Sequence, residues 1–183
     1  MRQPGSCAGI LWSRRAIAMV AAVTSLIGPP AGAGADNPLS SSPDAILLAV
    51  EREGAQAVVA RLTSDPHEWK HVLQQIEEGR TPWLKVGRAL QPGTGVGTRH
   101  PLEVALLSAL PNNPDQVLRW IGQGVALEDV CSVPRAEWDR AQVRDYLARA
   151  KKSLKKPLPA DIDPIRVRCL RQLDKVTARI QRP

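Results

Sequence analysis

The sequence predicts an all-α fold: a compact bundle of about seven mostly short helices with one disulfide, solenoid-like stacking being the alternative arrangement. Three observations carry that prediction. A helix-capping residue followed by Pro recurs along the chain. The stretches after it repeat their apolar residues at steps of three and four, the period of one helix face. No stretch alternates apolar and polar residues with β-branched enrichment, as a half-buried strand would.

The capped starts are Ser42-Pro43, Asp65-Pro66, Thr81-Pro82, Asn113-Pro114 and Asp163-Pro164, with His100-Pro101 and Val133-Pro134 as weaker versions. Pro suits the first helical position because the N–H it lacks has no intrahelical partner there. The Ser, Thr, Asp or Asn before it accepts a bond from a free N–H of the first turn. Leu47, Val50, Gly54, Val58 and Leu62 read as the first apolar stripe. Trp69, Val72, Leu73 and Ile76 mark the second helix, with Asp65 and Glu68 as its capping box and Gly79 as its stop. Trp83, Val86, Gly87 and Leu90 mark the third, before Pro92-Gly93. Leu102, Ala105, Leu106 and Ala109 follow, then Val117, Leu118 and Ile121. A longer helix is marked by Ala136, Arg140, Val143, Leu147, Ala150 and Leu154, and the last by Ile165, Cys169, Leu173, Val176 and Ile180. The prolines that open the first five helices are unevenly spaced, which favours a bundle over a repeat array of fixed period.

The beginning of the chain reads differently. Arg2, Arg14 and Arg15 precede an apolar run of twelve residues, Ala16 to Ile27. A bilayer span needs about 20 residues, so the run fits the apolar segment of a signal peptide instead. Gly28-Pro29-Pro30 ends it, and Ala31 to Ala35 offers two A-x-A cleavage sites. Residues 1–35 are therefore expected to be a cleaved signal peptide, 36–42 a flexible lead-in and 43–183 a single helical domain. The mature protein is expected in the periplasm or the medium, with no transmembrane span.

Cys7 leaves with the signal, and the two cysteines that remain, Cys131 and Cys169, are expected to pair in an oxidising compartment. Their bridge closes a loop of about 39 residues, worth about 4 kcal/mol in the chain-entropy model, less any strain. No C-x-x-C is present, which speaks against redox catalysis and thiolate zinc sites. Trp69, Trp83, Trp120 and Trp138 lie on or beside apolar stripes and read as core fillers. Gly93-Thr94-Gly95-Val96-Gly97 reads as a connector, because a phosphate loop needs a preceding strand. No G-x-S-x-G nucleophile elbow is present.

Charge divides the mature chain. From Asp36 to Val133 there are 8 Lys and Arg against 12 Asp and Glu, a net of −4; from Pro134 to Pro183 there are 14 against 6, a net of +8. Lys151, Lys152, Lys155 and Lys156 end the longer helix, where cations also complement its dipole. Arg166, Arg168, Arg171, Lys175 and Arg179 run along the last helix and form the candidate binding face. The fitting partner is an acidic protein or an anionic envelope component. Nucleic acid is not expected, since the chain reads as exported and no aromatic platform accompanies the charge. The opposite signs of the two regions also allow self-association.

One motif carries chemistry. His67-Glu68-Trp69-Lys70-His71 is an H-E-x-x-H, which on a helix sets two imidazoles one turn apart with a carboxylate beside them. Over these five residues the chain resembles the zincin metalloproteases. The resemblance implies zinc held by His67 and His71, with Glu68 as general base of a zinc-dependent hydrolase. Gln74 and Glu77 stand where the extended motif has Gly and a third His. Both histidines also lie opposite the stripe of Trp69, Val72, Leu73 and Ile76, so they are expected in solvent. The preferred reading is a non-enzymatic binding protein without a cofactor. The zinc hydrolase and the self-associating structural protein are the alternatives.

Overall fold

A computed structural model describes residues 39–180. The expected signal peptide 1–35 with Cys7, and residues 36–38 of the lead-in, lie outside the described residues. A 3-10 turn at Leu39–Ser41 leads into α1 (Pro43–Glu53), α2 (Ala55–Ser64), α3 (Pro66–Glu77), α4 (Thr81–Leu90) and α5 (Arg99–Ser108). Then come α6 (Pro114–Leu118), α7 (Leu127–Val130), α8 (Arg140–Leu154) and α9 (Asp163–Ile180). The fold is all-α. Among the described residues the one β feature is an isolated bridge between Ile121 and Val125.

Side-chain capping explains four of the nine α-helix starts among the described residues. Ser42 accepts from the Ala45 N–H at 3.4 Å, Asp65 from His67 at 2.8 Å and Asn113 from Gln116 at 3.3 Å, each with Pro next in the chain. The structure departs from the sequence reading in several places. Thr81 lies inside α4, whose cap position is Arg80 with no side-chain cap bond, and Asp163 is the first residue of α9 rather than its cap. Gly54, with φ of 84°, divides the first expected stripe into α1 and α2 and lies exposed between them. Asp65 accepts from the N–H of His67, the second residue of α3, so the capping box expected with Glu68 is replaced by a simpler cap. A reciprocal box forms instead at α8. Asp139 accepts from Ala141 and Gln142 at 2.7 and 2.8 Å, and its own N–H donates to Gln142 Oε1 at 2.9 Å. That box starts α8 at Arg140 and leaves Ala136 outside it. Val133-Pro134 accordingly opens no helix, and the short α7 precedes it at Leu127–Val130.

A continuous apolar cluster runs through the helices, with Ile46, Leu62, Ile76, Leu102, Leu118 and Leu154 among its fully enclosed side chains. Each such burial contributes about 1.5–3 kcal/mol. Trp83 and Trp120 are buried in it, and Trp69 and Trp138 pack partly buried against it. The most extensive packing is α3 on α5 and α1 on α4. The second of these joins helices separated by two others, which a linear stack of neighbours lacks. The Gln91–Gly93 turn lies directly on the start of α2. A Cβ at Gly93 would come within 2.3 Å of the Ala55 backbone, so only Gly fits. Asn112 and Asn113 donate to the carbonyls of Glu77 and Gly79 at 3.0 and 2.8 Å, tying the α3–α4 turn to the α5–α6 turn.

Candidate functional site

α8 and α9 form a helical hairpin. Its inner seam holds Val143, Leu147, Ala150 and Leu154 from α8 with Cys169 and Leu173 from α9. Cys131, at the end of α7, is bonded to Cys169, with a Cα–Cα separation of 5.3 Å inside the range that a bridge requires. The pairing expected from the sequence is thus the one observed. Burying residues on one stripe of α9 leaves the rest of that helix for charge.

Arg168, Arg171, Lys175 and Arg179 are all exposed. They follow steps of three, four and four, which at 100° per residue holds them within about 80° of arc. The line they make is about 17 Å long at 1.5 Å per residue. None of the four has a carboxylate within salt-bridge distance among the described residues.

Arg166 does not belong with them. Its Nε donates to Asp163 Oδ1 at 2.6 Å and its Nη1 to the Leu154 carbonyl at 3.0 Å, with only 19% of the side chain exposed. It therefore satisfies a carbonyl at the C-terminal end of α8 that has no intrahelical partner, and locks the hairpin turn. Arg119 acts in a similar way nearby, pairing with Asp161 at 2.6 Å and Asp115 at 3.0 Å. The hydrogen bonds from Arg166 and Arg119 hold the carboxyls of Asp163 and Asp161 below the usual carboxylate range.

A second basic surface was not singled out from the sequence. Arg140, Arg144 and Lys151 of α8 rim a groove of about 550 Å³, with Leu147, Ala148 and Thr177 in its walls and Ile180 at one end. None of the four cations of the α9 line reaches it. Lys151 pairs with Asp174 at 2.8 Å, whereas Arg140 and Arg144 have no carboxylate partner among the described residues. Their spacing against the stripe of Val143, Leu147, Ala150 and Leu154 was the signal for this surface in the sequence.

The H-E-x-x-H motif lies on the first turns of α3. His67 and His71 are exposed, as the phase of the apolar stripe requires, and Glu68 is half-buried. The His71 ring stands edge-on to Trp83 at 6.1 Å. Glu77, where the third ligand of the extended motif falls, is ion-paired with Arg135. His100, on α5, lines the clefts along that helix. Among the described residues no group of three or more His, Cys, Asp or Glu is placed to hold a metal ion.

Two further facts frame the site. No helix among the described residues is long and apolar enough to cross a membrane. No family model, curated protein or solved structure matches this chain.

Proposed function

We propose that the chain is an exported helical protein, periplasmic or secreted, that acts by binding an anionic partner through the outer face of α9 and carries out no catalysis itself. The observation that supports this is the line of Arg168, Arg171, Lys175 and Arg179, exposed and without carboxylate partners among the described residues. A structural ion-pair network would look different: Arg119, Arg135 and Arg166 each have carboxylates in reach. Four unneutralised cations on one face attract an acidic protein surface or an anionic envelope component, at a rate that falls with added salt.

The test is charge reversal of Arg171, Lys175 and Arg179 to Glu in the mature protein. Retention on vesicles containing phosphatidylglycerol, and on immobilised polyglutamate, is measured at low and physiological ionic strength. The wild type is expected to bind at least one of the two probes in a salt-sensitive way, and the variant to bind neither. The melting temperature is expected to stay within a few degrees, because exposed charges away from caps and networks shift stability little. Equal retention of variant and wild type would show that the α9 face is only a solvated surface.

A further inference from the structure

The groove between α8 and α9 has a counterpart on the opposite side of the charge divide. On α1, Asp44, Leu48 and Glu51 stand at i, i+4 and i+7 and so share one face. Both carboxylates are exposed and neither has a cationic partner among the described residues. Leu48 between them is 45% exposed, one of three exposed large hydrophobic side chains among the described residues. On α8, Arg144, Ala148 and Lys151 stand at the same i, i+4 and i+7. Each set spans about 10 Å of helix. One carries acid, a large apolar side chain and acid; the other carries base, a small apolar side chain and base.

We infer that the α8–α9 groove receives α1 of a second copy of this chain, with Leu48 over Ala148 and Asp44 and Glu51 against Arg144, Arg140 and Lys151. Three observations favour this occupant. The charges match: the groove holds Arg140, Arg144 and Lys151 less Asp174, against the two carboxylates of α1. The shapes match, since the small Ala148 leaves room for a protruding Leu between its charged neighbours. The apolar wall of Leu147 and Ile180 gives Leu48 somewhere to lose water. Because the two surfaces differ, copies can pair reciprocally in a two-fold dimer or join head to tail into a ring or an open chain, and in each case association grows with concentration. A contact of one helix face is small, so association is weak and strongly dependent on salt. The inference is independent of the α9 line, whose four cations lie outside the groove.

The experiment is sedimentation of the mature protein across a wide concentration range, at low salt and at high salt. Average mass is expected to rise with concentration at low salt and to return to that of a monomer at high salt. Two variants locate the contact. Asp44→Lys with Glu51→Lys reverses the acidic face, and Arg140→Glu with Arg144→Glu reverses the groove. Each alone is expected to associate roughly tenfold more weakly than the wild type. An equimolar mixture of the two is expected to associate again, because each copy then offers the other a complementary surface. Glu51→Lys alone repeats the test without altering the first turn of α1, and thermal melts confirm folding. A wild type that stays monomeric at every concentration in low salt would overturn the inference. So would association that survives both reversals, or folded variants whose mixture stays monomeric. Binding of the reversed-groove variant to the anionic probes described above is expected to persist, which keeps the two surfaces distinguishable.

Discussion

α4 and α9 are held in place in different ways. α4 buries five of its ten residues, Trp83, Leu84, Val86, Gly87 and Leu90. α9 is eighteen residues long and buries two, Cys169 and Leu173. Packed among α1, α2, α3 and α5, α4 has neighbours on several sides, and apolar burial is the main force that holds it. α9 meets the molecule along one stripe, so most of its length adds little burial. Its position rests instead on a covalent staple, on the Arg166 clamp at its first turn and on the Lys151–Asp174 pair. A helix held from one side can carry four like charges on the other at little cost, and this is where the candidate binding face lies.

That comparison is broken most severely by removing the staple. Replacing Cys131 and Cys169 together by Ser is expected to cost about 4 kcal/mol, less any strain relieved. Native-state hydrogen exchange should rise in α7 and α9 first, while α3, α4 and α5 keep their protection. A uniform rise across all helices would mean that the two regions are not held separately. Gly93→Ala attacks the other side. Its new Cβ meets the Ala55 backbone, and overpacking of this kind costs about 1–3 kcal/mol. Its effect on exchange should concentrate in α2 and α4 and leave α9 unchanged.

The smallest effects come from titration. The carboxyls of Asp161 and Asp163 are held low by Arg119 and Arg166. Their contribution is therefore complete above the ordinary Asp value, about 3.9, and is lost as pH falls through the lowered values. Asp163→Asn should flatten the melting temperature against pH on the acid side. At the seam between the regions, the buried Tyr146 hydroxyl donates to the Leu107 carbonyl at 3.3 Å, and burial pushes its pKa up. That stabilisation is complete below about pH 10 and is lost as pH rises further. Tyr146→Phe should remove this alkaline limb at a cost of about 1 kcal/mol for the hydrogen bond.

Much of the candidate site was legible before folding was considered. The phase of α9 follows from Ile165, Cys169, Leu173 and Val176 alone, and that phase already turns Arg168, Arg171, Lys175 and Arg179 outward. The solvent exposure of His67 and His71 follows in the same way from Val72 and Ile76. Arg166 was not legible. Its partners are a carboxylate three residues away and a carbonyl twelve residues away, and only the hairpin turn brings the second within reach. The α8 groove is harder to read: Arg140 fits the apolar spacing of α8, yet it lies exposed beside Arg144 at the groove. Gly54 fits an uninterrupted helical stripe just as well, until its positive φ divides α1 from α2.

By itself the sequence determined the all-α class, the caps at Ser42, Asp65 and Asn113, the pairing of Cys131 with Cys169 and the basic character of the last helix. These are local or combinatorial properties. Helical period acts over three or four residues and a cap over one turn, and with Cys7 read as leaving with a signal peptide the other two cysteines allow one intramolecular pairing. Only the tertiary structure decided which cations are spent on structure and which remain free. It alone set Arg119 against Asp161, Arg135 against Glu77 and Lys151 against Asp174, and left Arg140 and Arg144 open beside Ile180. Each of these pairs joins segments far apart in the chain, and no periodicity within either segment carries that distance.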